Sequence, residues 1–263
     1  MAGYCLITGA TSGIGMEFAR VLAVNGNNLI LVARNQTHLE NAAYELTTAY
    51  EGIDARIYST DLSVPGAPKK LYDDIKADGL EVEILINNAG VGHLNAFLDS
   101  DFNVQQNLIN LNITALTELL HLFGKDMKAR GHGKILNVSS VAALSTGPYM
   151  ATYYASKAYV LSLSHAVGQE LKGSGVTVTA LCPGPTNTNF ARNAGMDNSI
   201  LYNRHGSKSS TQVAVKGYKA MMRGQNVKYY GWITYLYNIG ARLLPRNLCG
   251  KIAKKMNTEQ ISQ

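Results

Sequence analysis

The sequence YCLITGATSGIGMEFARVLA, residues 4–23, places an apolar run, a glycine-rich turn and an amphipathic stretch in direct succession. This order predicts a buried strand, a tight turn and a helix that begins at the glycines. The first turn of a helix has unpaired N–H groups and the positive end of the helix dipole, which together favour a bound phosphate. Because Gly9, Gly13 and Gly15 have no side chain to block such a ligand, residues 8–15 form a candidate phosphate loop.

The spacing of these glycines is Gly-x-x-x-Gly-x-Gly, which differs from the Gly-x-Gly-x-x-Gly of the general dinucleotide-binding fingerprint. A tight strand-to-helix turn without a ligand is therefore an alternative interpretation of the loop taken alone. The position of the loop directly after the first strand favours the phosphate interpretation.

Apolar runs and helical patterns alternate along the rest of the chain. Strands are predicted at 3–8, 28–33, 53–58, 82–87, 133–139, 176–181 and 227–230, and helices at 13–25, 36–50, 64–77, 103–129, 152–172 and within 232–255. Such alternation is typical of βαβ units, and continuous apolar strands fit a sheet covered on both faces. The predicted fold class is α/β, a Rossmann-like doubly wound parallel sheet of about seven strands with helices on both faces.

Length and composition favour one domain. The 263 residues are 46% hydrophobic and 16% charged, and no linker or repeat divides them, so residues 1–263 are predicted to form a single dinucleotide-binding domain. Residues 185–225 are polar, Asn-rich and weakly periodic, which predicts an irregular insert that acts as a lid over substrate. Residues 231–263 form a basic, helical C-terminal extension.

The net charge of +6 is unevenly placed. Residues 198–258 contain 11 basic residues and no Asp or Glu, whereas the rest of the chain has 13 basic and 18 acidic residues. The basic segment has three interpretations: it offsets the acidic body and favours anionic ligands, it packs on the core or a partner subunit, or it makes weak contact with a membrane surface. Nucleic-acid binding is not predicted, because no motif for it is present.

Cysteine placement and hydropathy point to an intracellular protein. Cys5, Cys182 and Cys249 lie far apart without ligand-type spacing, so neither a metal site nor a disulfide framework is predicted. No stretch approaches the roughly 20 apolar residues of a membrane span. The first predicted strand leaves no room for a signal peptide. We expect a cytoplasmic protein with buried, reduced thiols.

Further motifs follow the phosphate loop in a fixed order. They are Asp61-Leu62, Asn87-Asn88-Ala89-Gly90, Asn112, Ser140, Tyr153-x-x-x-Lys157 and Pro183-Gly184. With this order and spacing the sequence resembles the short-chain dehydrogenase/reductase family from Leu6 to about Phe190, and more loosely to its end. The resemblance implies an oxidoreductase that uses a nicotinamide cofactor.

The end of the second strand bears on the choice between NAD and NADP. An acidic residue there selects NAD, but Arg34-Asn35 stands at this position and no acid occurs before Glu40. Arg34 can bind a phosphate bidentately, although a solvated arginine is the alternative. The resemblance implies that Arg34 and Asn35, helped by Ser12, bind the 2′-phosphate of NADP(H).

The resemblance assigns further cofactor contacts. Asp61 and Leu62 meet the adenine, although Asp61 could equally cap the following helix. The loop after the fourth strand lies near the ribose, and Pro183-Gly184 with Thr188, or alternatively Thr186, meets the carboxamide. The full predicted set is Gly9, Thr11, Ser12, Gly13, Ile14, Gly15, Arg34, Asn35, Asp61, Leu62, Asn88, Ala89, Gly90, Tyr153, Lys157, Pro183, Gly184, Thr186 and Thr188.

Tyr153 and Lys157 are four residues apart on a predicted helix and therefore share a face. Moving a hydride at a carbinol carbon requires a proton to move at the oxygen. A free tyrosine, with a pKa of about 10, is too weak an acid at neutral pH, and a nearby ammonium group stabilises its phenolate. Tyr153 is the predicted general acid/base; the adjacent Tyr154 has no lysine four residues later.

Ser140 and Asn112 complete the predicted catalytic set. Ser140 is predicted to hold the substrate oxygen, with Ser139 as its rival. The resemblance implies that Asn112 kinks its helix and holds a water that relays protons to Lys157. A solvent-facing helix position is the alternative for Asn112.

The sequence therefore predicts an NADP-dependent oxidoreductase acting on a carbonyl or secondary alcohol. A catalytically weak NADP-binding regulator or scaffold is the alternative. Leu144, Tyr149, Met150, Phe190, Met196 and Ile200 suggest an apolar substrate pocket, and His93 either lines it or lies on a surface loop. The resemblance also implies a homodimer or homotetramer.

Overall fold

Strands and helices alternate in the computed structural model, which describes residues 3–196 and 208–258. The strands are β1 (Tyr4–Thr8), β2 (Asn28–Ala33), β3 (Ala55–Ser59), β4 (Val82–Asn87), β5 (Gly133–Val138), β6 (Val176–Pro183), β7 (Thr186–Asn187), β8 (Lys208–Ser209) and β9 (Val227–Tyr230). The helices are α1 (Gly13–Val24), α2 (Gln36–Ala49), α3 (Ala67–Ala77), α4 (Phe102–Ile109), α5 (Leu116–Arg130), α6 (Ala151–Glu170), α7 (Phe190–Asn193), α8 (Ser210–Met222), α9 (Trp232–Leu243) and α10 (Arg246–Thr258).

Seven of the strands form one sheet in the order β3-β2-β1-β4-β5-β6-β9, and every neighbouring pair is parallel. The chain builds outward from β1 to β3 and then returns to β4 on the other side of β1. This reversal leaves a crevice beyond the carboxyl ends of β1 and β4, where doubly wound folds bind ligands. The predicted fold class is confirmed.

Both faces of the sheet are buried. In β1, Cys5 and Ile7 pack with Phe18 of α1 on one face, whereas Leu6 packs with Phe123 of α5 on the other. Side chains alternate across a strand, so an uninterrupted apolar run supplies both layers of core. All three cysteines are buried and unpaired, as expected.

The predicted boundaries agree with the structure within two residues, with exceptions at 64–77, 185–225 and 232–255. Helix α3 begins at Ala67 rather than at residue 64, because residue 66 has a φ of 82°, a left-handed conformation suited to glycine. The amide of Ala67 bonds to the carbonyl of Val64, so the preceding residues form a turn. The apolar Val64 therefore belongs to a turn and is exposed.

The prediction of an irregular insert over 185–225 is wrong for its last third. Residues 210–222 form helix α8, which packs against α1 with Val213 and Met221 fully buried. At Gly217 the two helices approach closely, since a Cβ there would lie 2.8 Å from Cζ of Phe18. Residues 197–207 of the predicted insert lie outside the described residues.

The basic extension, predicted to be helical, forms two helices. Helix α9 ends at Leu243 and α10 begins at Arg246, with Pro245 between them. Proline lacks an N–H and disfavours a helical residue before it, so a break is expected at this position. Helix α10 reaches the crevice with Asn257.

Candidate functional site

A cavity of about 960 Å³ occupies the crevice beyond the carboxyl ends of the strands. It extends from Arg34 and Asp61 at one end, past the phosphate loop, to Tyr153 and Asn257 at the other. Every residue of the predicted cofactor set lines it except Gly15, which is buried within the loop. The tertiary fold thus gathers motifs that are up to 179 positions apart, from Gly9 to Thr188, around one space.

The phosphate loop has the geometry of an anion cradle. Gly9 and Gly13 adopt positive φ angles of 67° and 54°, and a Cβ on Gly15 would lie 2.1 Å from the carbonyl oxygen of Gly9. Ser12 precedes helix α1 without a side-chain cap, and the first turn has no acidic residue. The N–H groups of this turn are therefore left for a ligand, which fits the pyrophosphate of a dinucleotide.

Thr8 and Asn88 hold this loop against the end of β4. The amides of Asn88 and Ala89 donate to Oγ1 of Thr8 at 2.9 and 3.0 Å, and Nδ2 of Asn88 donates to the carbonyl oxygen of Thr8 at 2.9 Å. The Asn88 side chain thus braces the loop backbone. Thr8 was not among the predicted site residues, because its role depends on a contact 80 residues away.

Arg34 and Asp61 lie close together at the far end of the cavity. The Arg34 side chain is exposed, whereas Asp61 is half-buried and accepts hydrogen bonds from the amide and hydroxyl of Ser63. Burial raises the pKa of Asp61, but those hydrogen bonds and the charge of Arg34 outweigh it and hold the pKa below its usual value. Asp61 does not cap helix α3, whose cap is Gly66, so that alternative is wrong.

The side chain of Asn35 makes a hydrogen bond within the protein, in addition to its predicted contact with the 2′-phosphate of the cofactor. Its Oδ1 accepts a hydrogen bond from the amide of His38 at 2.9 Å and so caps helix α2. An Asn at this position satisfies one of the free N–H groups of the first turn. The predicted contact of Asn35 with a 2′-phosphate stays a prediction.

Lys157 is buried at the centre of the site with 5% of its surface exposed. Its Nζ donates to the carbonyl oxygen of Val138 at 3.0 Å and lies 5.8 Å from the centre of the Tyr153 ring. Burial disfavours the charged amine and lowers its pKa from 10.5 to about 8, although the nearby thiol of Cys182 acts in the opposite direction. A Cβ on Gly90 would lie 3.3 Å from this amine, so glycine keeps the space beside it open.

Tyr153 stands in the first turn of α6, where it packs against Phe190 at a ring-centre distance of 5.3 Å. Ser140 follows β5 and lines the same cavity, and its Oγ accepts from the amide of Ala142. The rival Ser139 donates its hydroxyl to the carbonyl oxygen of Lys157 at 2.8 Å. Because that hydroxyl proton is committed to the backbone, Ser140 is the better candidate for a substrate contact.

Asn112 lies in a wide π-helical turn, Asn110–Ala115, that joins α4 to α5. It is 1% exposed, so the solvent-facing alternative is wrong. Both its Nδ2 protons are used, one by the carbonyl of Val91 and one by Oγ of Ser156, while its Oδ1 accepts from the Val91 amide. Such turns are frequent at functional sites, and here the Asn112 side chain joins the loop after β4 to helix α6.

Thr186 and Thr188 follow the carboxyl end of β6. The hydroxyl of Thr186 donates to the carbonyl oxygen of Gly184 at 2.9 Å, and Oγ1 of Thr188 accepts from the amide of Phe190. The methyl group of Thr188 lies over the phosphate loop, 3.0 Å from the Cβ position of Gly13. Only the Thr188 hydroxyl keeps its proton for a ligand, which favours Thr188 over Thr186.

Asn257, from helix α10, lines the substrate end of the cavity and is a site residue that sequence reasoning missed. It is 1% exposed, its Nδ2 donates to the carbonyl oxygen of Pro148 at 2.8 Å, and it hydrogen-bonds to Tyr154. The next residue of that loop, Tyr149, has a φ of 66°, which is unusual for a residue other than glycine. No local pattern could place residue 257 here, since its partner lies 109 residues earlier.

Apolar side chains surround the same end of the cavity. Met150, Phe190 and Met196 line it as predicted, whereas Leu144 and Tyr149 are not among the lining residues. Ile200 lies outside the described residues. His93 is half-buried and does not line the cavity.

Within residues 3–196 and 208–258, no group of three or more His, Cys, Asp or Glu residues could hold a metal ion. In the same ranges no helix combines the length and the apolar character needed to cross a membrane.

Comparison with known proteins agrees with this geometry. A family model described as short chain dehydrogenase matches residues 4–199. The chain is 37% identical over 179 residues to a very-long-chain 3-oxoacyl-CoA reductase of Neurospora crassa, covering 66% of this chain and 53% of that protein. It is also 37% identical over 189 residues to the 17-beta-hydroxysteroid dehydrogenase type 3 of Mus musculus, covering 70% and 60%. The chain thus spans little more than half the length of these relatives.

A solved structure extends the likeness over nearly the whole chain. A short-chain dehydrogenase from Sphingobium yanoikuyae, solved in complex with NADPH, superposes with a TM-score of 0.81 at 30% sequence identity. The alignment covers 92% of this chain and 94% of that one.

Proposed function

Because this chain belongs to the short-chain dehydrogenase family, we propose that it transfers a hydride between NADP(H) and a carbonyl or secondary alcohol. The observation that carries the proposal is the buried amine of Lys157, 5.8 Å from the ring of Tyr153 in a cavity lined by the phosphate loop. The bound nicotinamide supplies or accepts the hydride. The residues of the chain hold the substrate oxygen and move its proton.

In the direction of reduction, Tyr153 donates its hydroxyl proton to the carbonyl oxygen as that oxygen gains negative charge. The Lys157 ammonium stabilises the phenolate that remains, because an opposite charge nearby favours the ionised form. Burial makes this interaction stronger than it would be in water. In the direction of oxidation, the phenolate takes the proton from the alcohol.

Ser140 and Asn112 have separate roles in this proposal. Ser140 lines the cavity and donates a hydrogen bond to the substrate oxygen, which orients the carbonyl carbon for transfer. Asn112 acts as a positioning residue, because it joins Val91 to Ser156, whose hydroxyl donates to the carbonyl oxygen of Tyr153 at 2.7 Å. A water relay to Lys157 would then be held by the backbone at residue 112, since both side-chain amide protons are in use.

The preference for NADP(H) over NAD(H) is proposed from Arg34. It lines the cavity at the end of β2, and the nearby carboxylate of Asp61 is already bonded by Ser63. An arginine in this position attracts a 2′-phosphate, which an acidic residue would repel. The NADPH complex of the structural neighbour from Sphingobium yanoikuyae supports the same choice.

The proposed substrate is a bulky, apolar carbonyl compound. Met150, Phe190 and Met196 provide an apolar wall. The relatives act, by their names, on very-long-chain 3-oxoacyl-CoA and on 17-beta-hydroxysteroids, which are large and contain a long apolar acyl chain or an apolar ring system. Large substrates therefore fit the apolar wall of the cavity and match the substrates in the names of the relatives.

Assembly into a dimer or tetramer belongs to the same proposal. Phe97, Leu98 and Phe102 are 54%, 91% and 68% exposed on consecutive turns before and within α4. Adjacent exposed apolar side chains of this size are typical of protein interfaces. Light scattering of the purified protein measures the mass of the assembly directly.

The predicted cytoplasmic location is tested by fractionating cells.

The test is NADPH consumption with a panel of ketones of increasing size, for the wild type, Tyr153→Phe and the matched control Tyr154→Phe. We expect Tyr153→Phe to lose at least about 100-fold in rate, as when a general acid is removed, while binding of NADPH stays intact. Tyr154→Phe should keep the rate with small ketones. Equal turnover by Tyr153→Phe and wild type would refute the assignment. Tight NADPH binding with no turnover of any ketone would favour the regulator or scaffold instead.

A further inference from the structure

Helix α10 shows two different faces. Cys249, Ala253 and Asn257 recur every four residues and are at most 5% exposed, so this face packs on the protein. Leu248, Ile252 and Met256 follow the same spacing one position earlier and are 44%, 43% and 38% exposed. These three residues, with the 43% exposed Leu244 just before the helix, are called the outer stripe.

The outer stripe is flanked by positive charge. At about 3.6 residues per turn, Lys251 and Lys255 occupy the sector next to Leu248, on the side away from the packed face, whereas Lys254 lies beyond them, with its Nζ 6.0 Å from the centre of the Tyr149 ring. All three lysines are exposed. An apolar strip with a row of lysines beside it is the pattern of a helix that lies in the interface of a membrane.

Charge in the surrounding chain strengthens the pattern. Helices α9 and α10 together contain Arg242, Arg246, Lys251, Lys254 and Lys255. No Asp or Glu occurs between residues 198 and 258, so nothing in this segment neutralises them. The remainder of the chain is acidic on balance, so the segment that contains α9 and α10 is the part of the chain that anionic surfaces attract.

We propose that the outer stripe and its lysines dock this protein on the surface of a bilayer that contains anionic lipids. The apolar side chains enter the boundary between headgroups and acyl chains, while the long lysine side chains extend to the phosphates. No helix in the described ranges is suited to crossing a membrane, so the contact is peripheral.

A second copy of the chain fits this face less well. A two-fold contact would set the stripe against itself and would bring the same cations together with no carboxylate in the segment to pair them. A contact between the stripe and a different, acidic surface would not close and would produce open chains of subunits. An anionic bilayer satisfies both the apolar and the basic parts of the surface.

The packed face of the same helix holds Asn257 at the substrate end of the cavity. Docking would therefore place that end near the bilayer, from which an apolar substrate could enter. This consequence rests on the proposed function, whereas the docking itself does not.

The test is co-flotation of the protein with vesicles of phosphatidylcholine alone or of phosphatidylcholine mixed with phosphatidylglycerol. We expect binding to the anionic vesicles that weakens as salt is raised. The double variant Lys251→Glu/Lys255→Glu should weaken it at least about 20-fold, since each basic residue near an anionic surface contributes about a fivefold factor. Leu248→Ser/Ile252→Ser should weaken it at least about fivefold, because less apolar surface enters the bilayer.

The matched control is Lys125→Glu/Lys128→Glu, which makes the same change in net charge on exposed positions of α5. It should bind like the wild type, and thermal unfolding should show that every variant is folded. The proposal is overturned if the wild type ignores anionic vesicles, or if the α10 variants bind as well as the control. A halved mass of the α10 variants in light scattering, without an effect on flotation, would make the stripe a subunit interface. Because vesicle binding is measured without substrate, a failed ketone assay leaves this result intact.

Discussion

The amine of Lys157 lies 5.8 Å from the centre of the Tyr153 ring while it donates to the carbonyl oxygen of Val138. One hydrogen bond and almost complete burial replace the water that an ammonium group normally has around it. Holding the charged amine of Lys157 in this buried site therefore lowers the stability of the folded protein. That cost can be measured separately from activity.

Replacing Lys157 by Met should inactivate the enzyme and stabilise the fold. The pKa of Lys157 is lowered to about 8 in the folded state from 10.5, so the unfolded chain binds the proton more tightly. The penalty is fully present below pH 8 and is about 3 kcal/mol by linkage. Denaturant unfolding at pH 7 should show Lys157→Met more stable than the wild type by up to this amount.

The pH dependence provides the control for this prediction. As pH rises from 8 to 10.5, the folded wild type has already released the proton that the unfolded chain still binds, so its stability rises with pH. The advantage of Lys157→Met should shrink across this window and vanish above it. A constant difference at all pH values would mean that packing, not charge burial, separates the two proteins.

Arg34→Ala should lower the preference for NADPH over NADH by about 10- to 100-fold, the range expected for lost hydrogen bonds to a charged group. The measurement is the ratio of kcat/KM for the two cofactors at low and at high salt. Arg56→Ala is the matched control, because Arg56 lies on the neighbouring strand β3 and pairs with Asp54 outside the cavity. If Arg56→Ala also lowered the preference for NADPH, the effect would come from the overall electrostatic field of the protein and not from a contact made by Arg34.

Asn112→Ala should lower kcat by about 10-fold or more with a smaller change in KM, since the Val91 loop and Ser156 lose their connection beside the reacting groups. The free energy of unfolding should also fall by about 1–3 kcal/mol, because the buried partners of Asn112 are left unpaired. Asn107→Ala, at an exposed position of the preceding helix α4, is the control. Should both variants keep the wild-type kcat, residue 112 would have no positioning role.

Gly15→Ala should prevent cofactor binding or folding, because its Cβ would lie 2.1 Å from the carbonyl oxygen of Gly9. Gly124→Ala is the control: its Cβ would have an ordinary contact of 3.6 Å to Ile135, and alanine is the better helix former by about 1 kcal/mol. Thermal unfolding and dye binding report on the folding of each variant, and NADPH titration reports on cofactor binding. A Gly15→Ala protein with normal affinity would show that the loop can widen.

Asn257→Ala should raise KM for bulky ketones while leaving kcat with small ketones within about twofold of the wild type. The loop at Pro148 would lose its hydrogen bond to α10 and could no longer be held beside Tyr154. Asn247→Ala, at an exposed position of the same helix, should change neither quantity. Equal losses for small and bulky ketones would assign Asn257 to stability alone.

Local features of the sequence were enough to predict the elements and most of the site. Strand and helix periods are set by residues close in the chain, as in YCLITGATSGIGMEFARVLA, and the four-residue spacing of Tyr153 and Lys157 is a property of one helix. Helix α8 was missed because its buried face consists mostly of small residues, with Gly217 at its centre, and its packing depends on Phe18 of α1.

Patterns within a few residues of the chain predicted the order of strands and helices that a doubly wound sheet requires, the phosphate loop and the shared helix face of Tyr153 and Lys157. The folded structure was needed to show that Lys157 is buried, that Asn112 bonds to Ser156 44 residues away, and that Asn257 reaches Pro148 across 109 residues. Burial and pairing over such separations depend on how the elements pack together. A local pattern in the sequence does not specify which distant helices and loops will pack against each other.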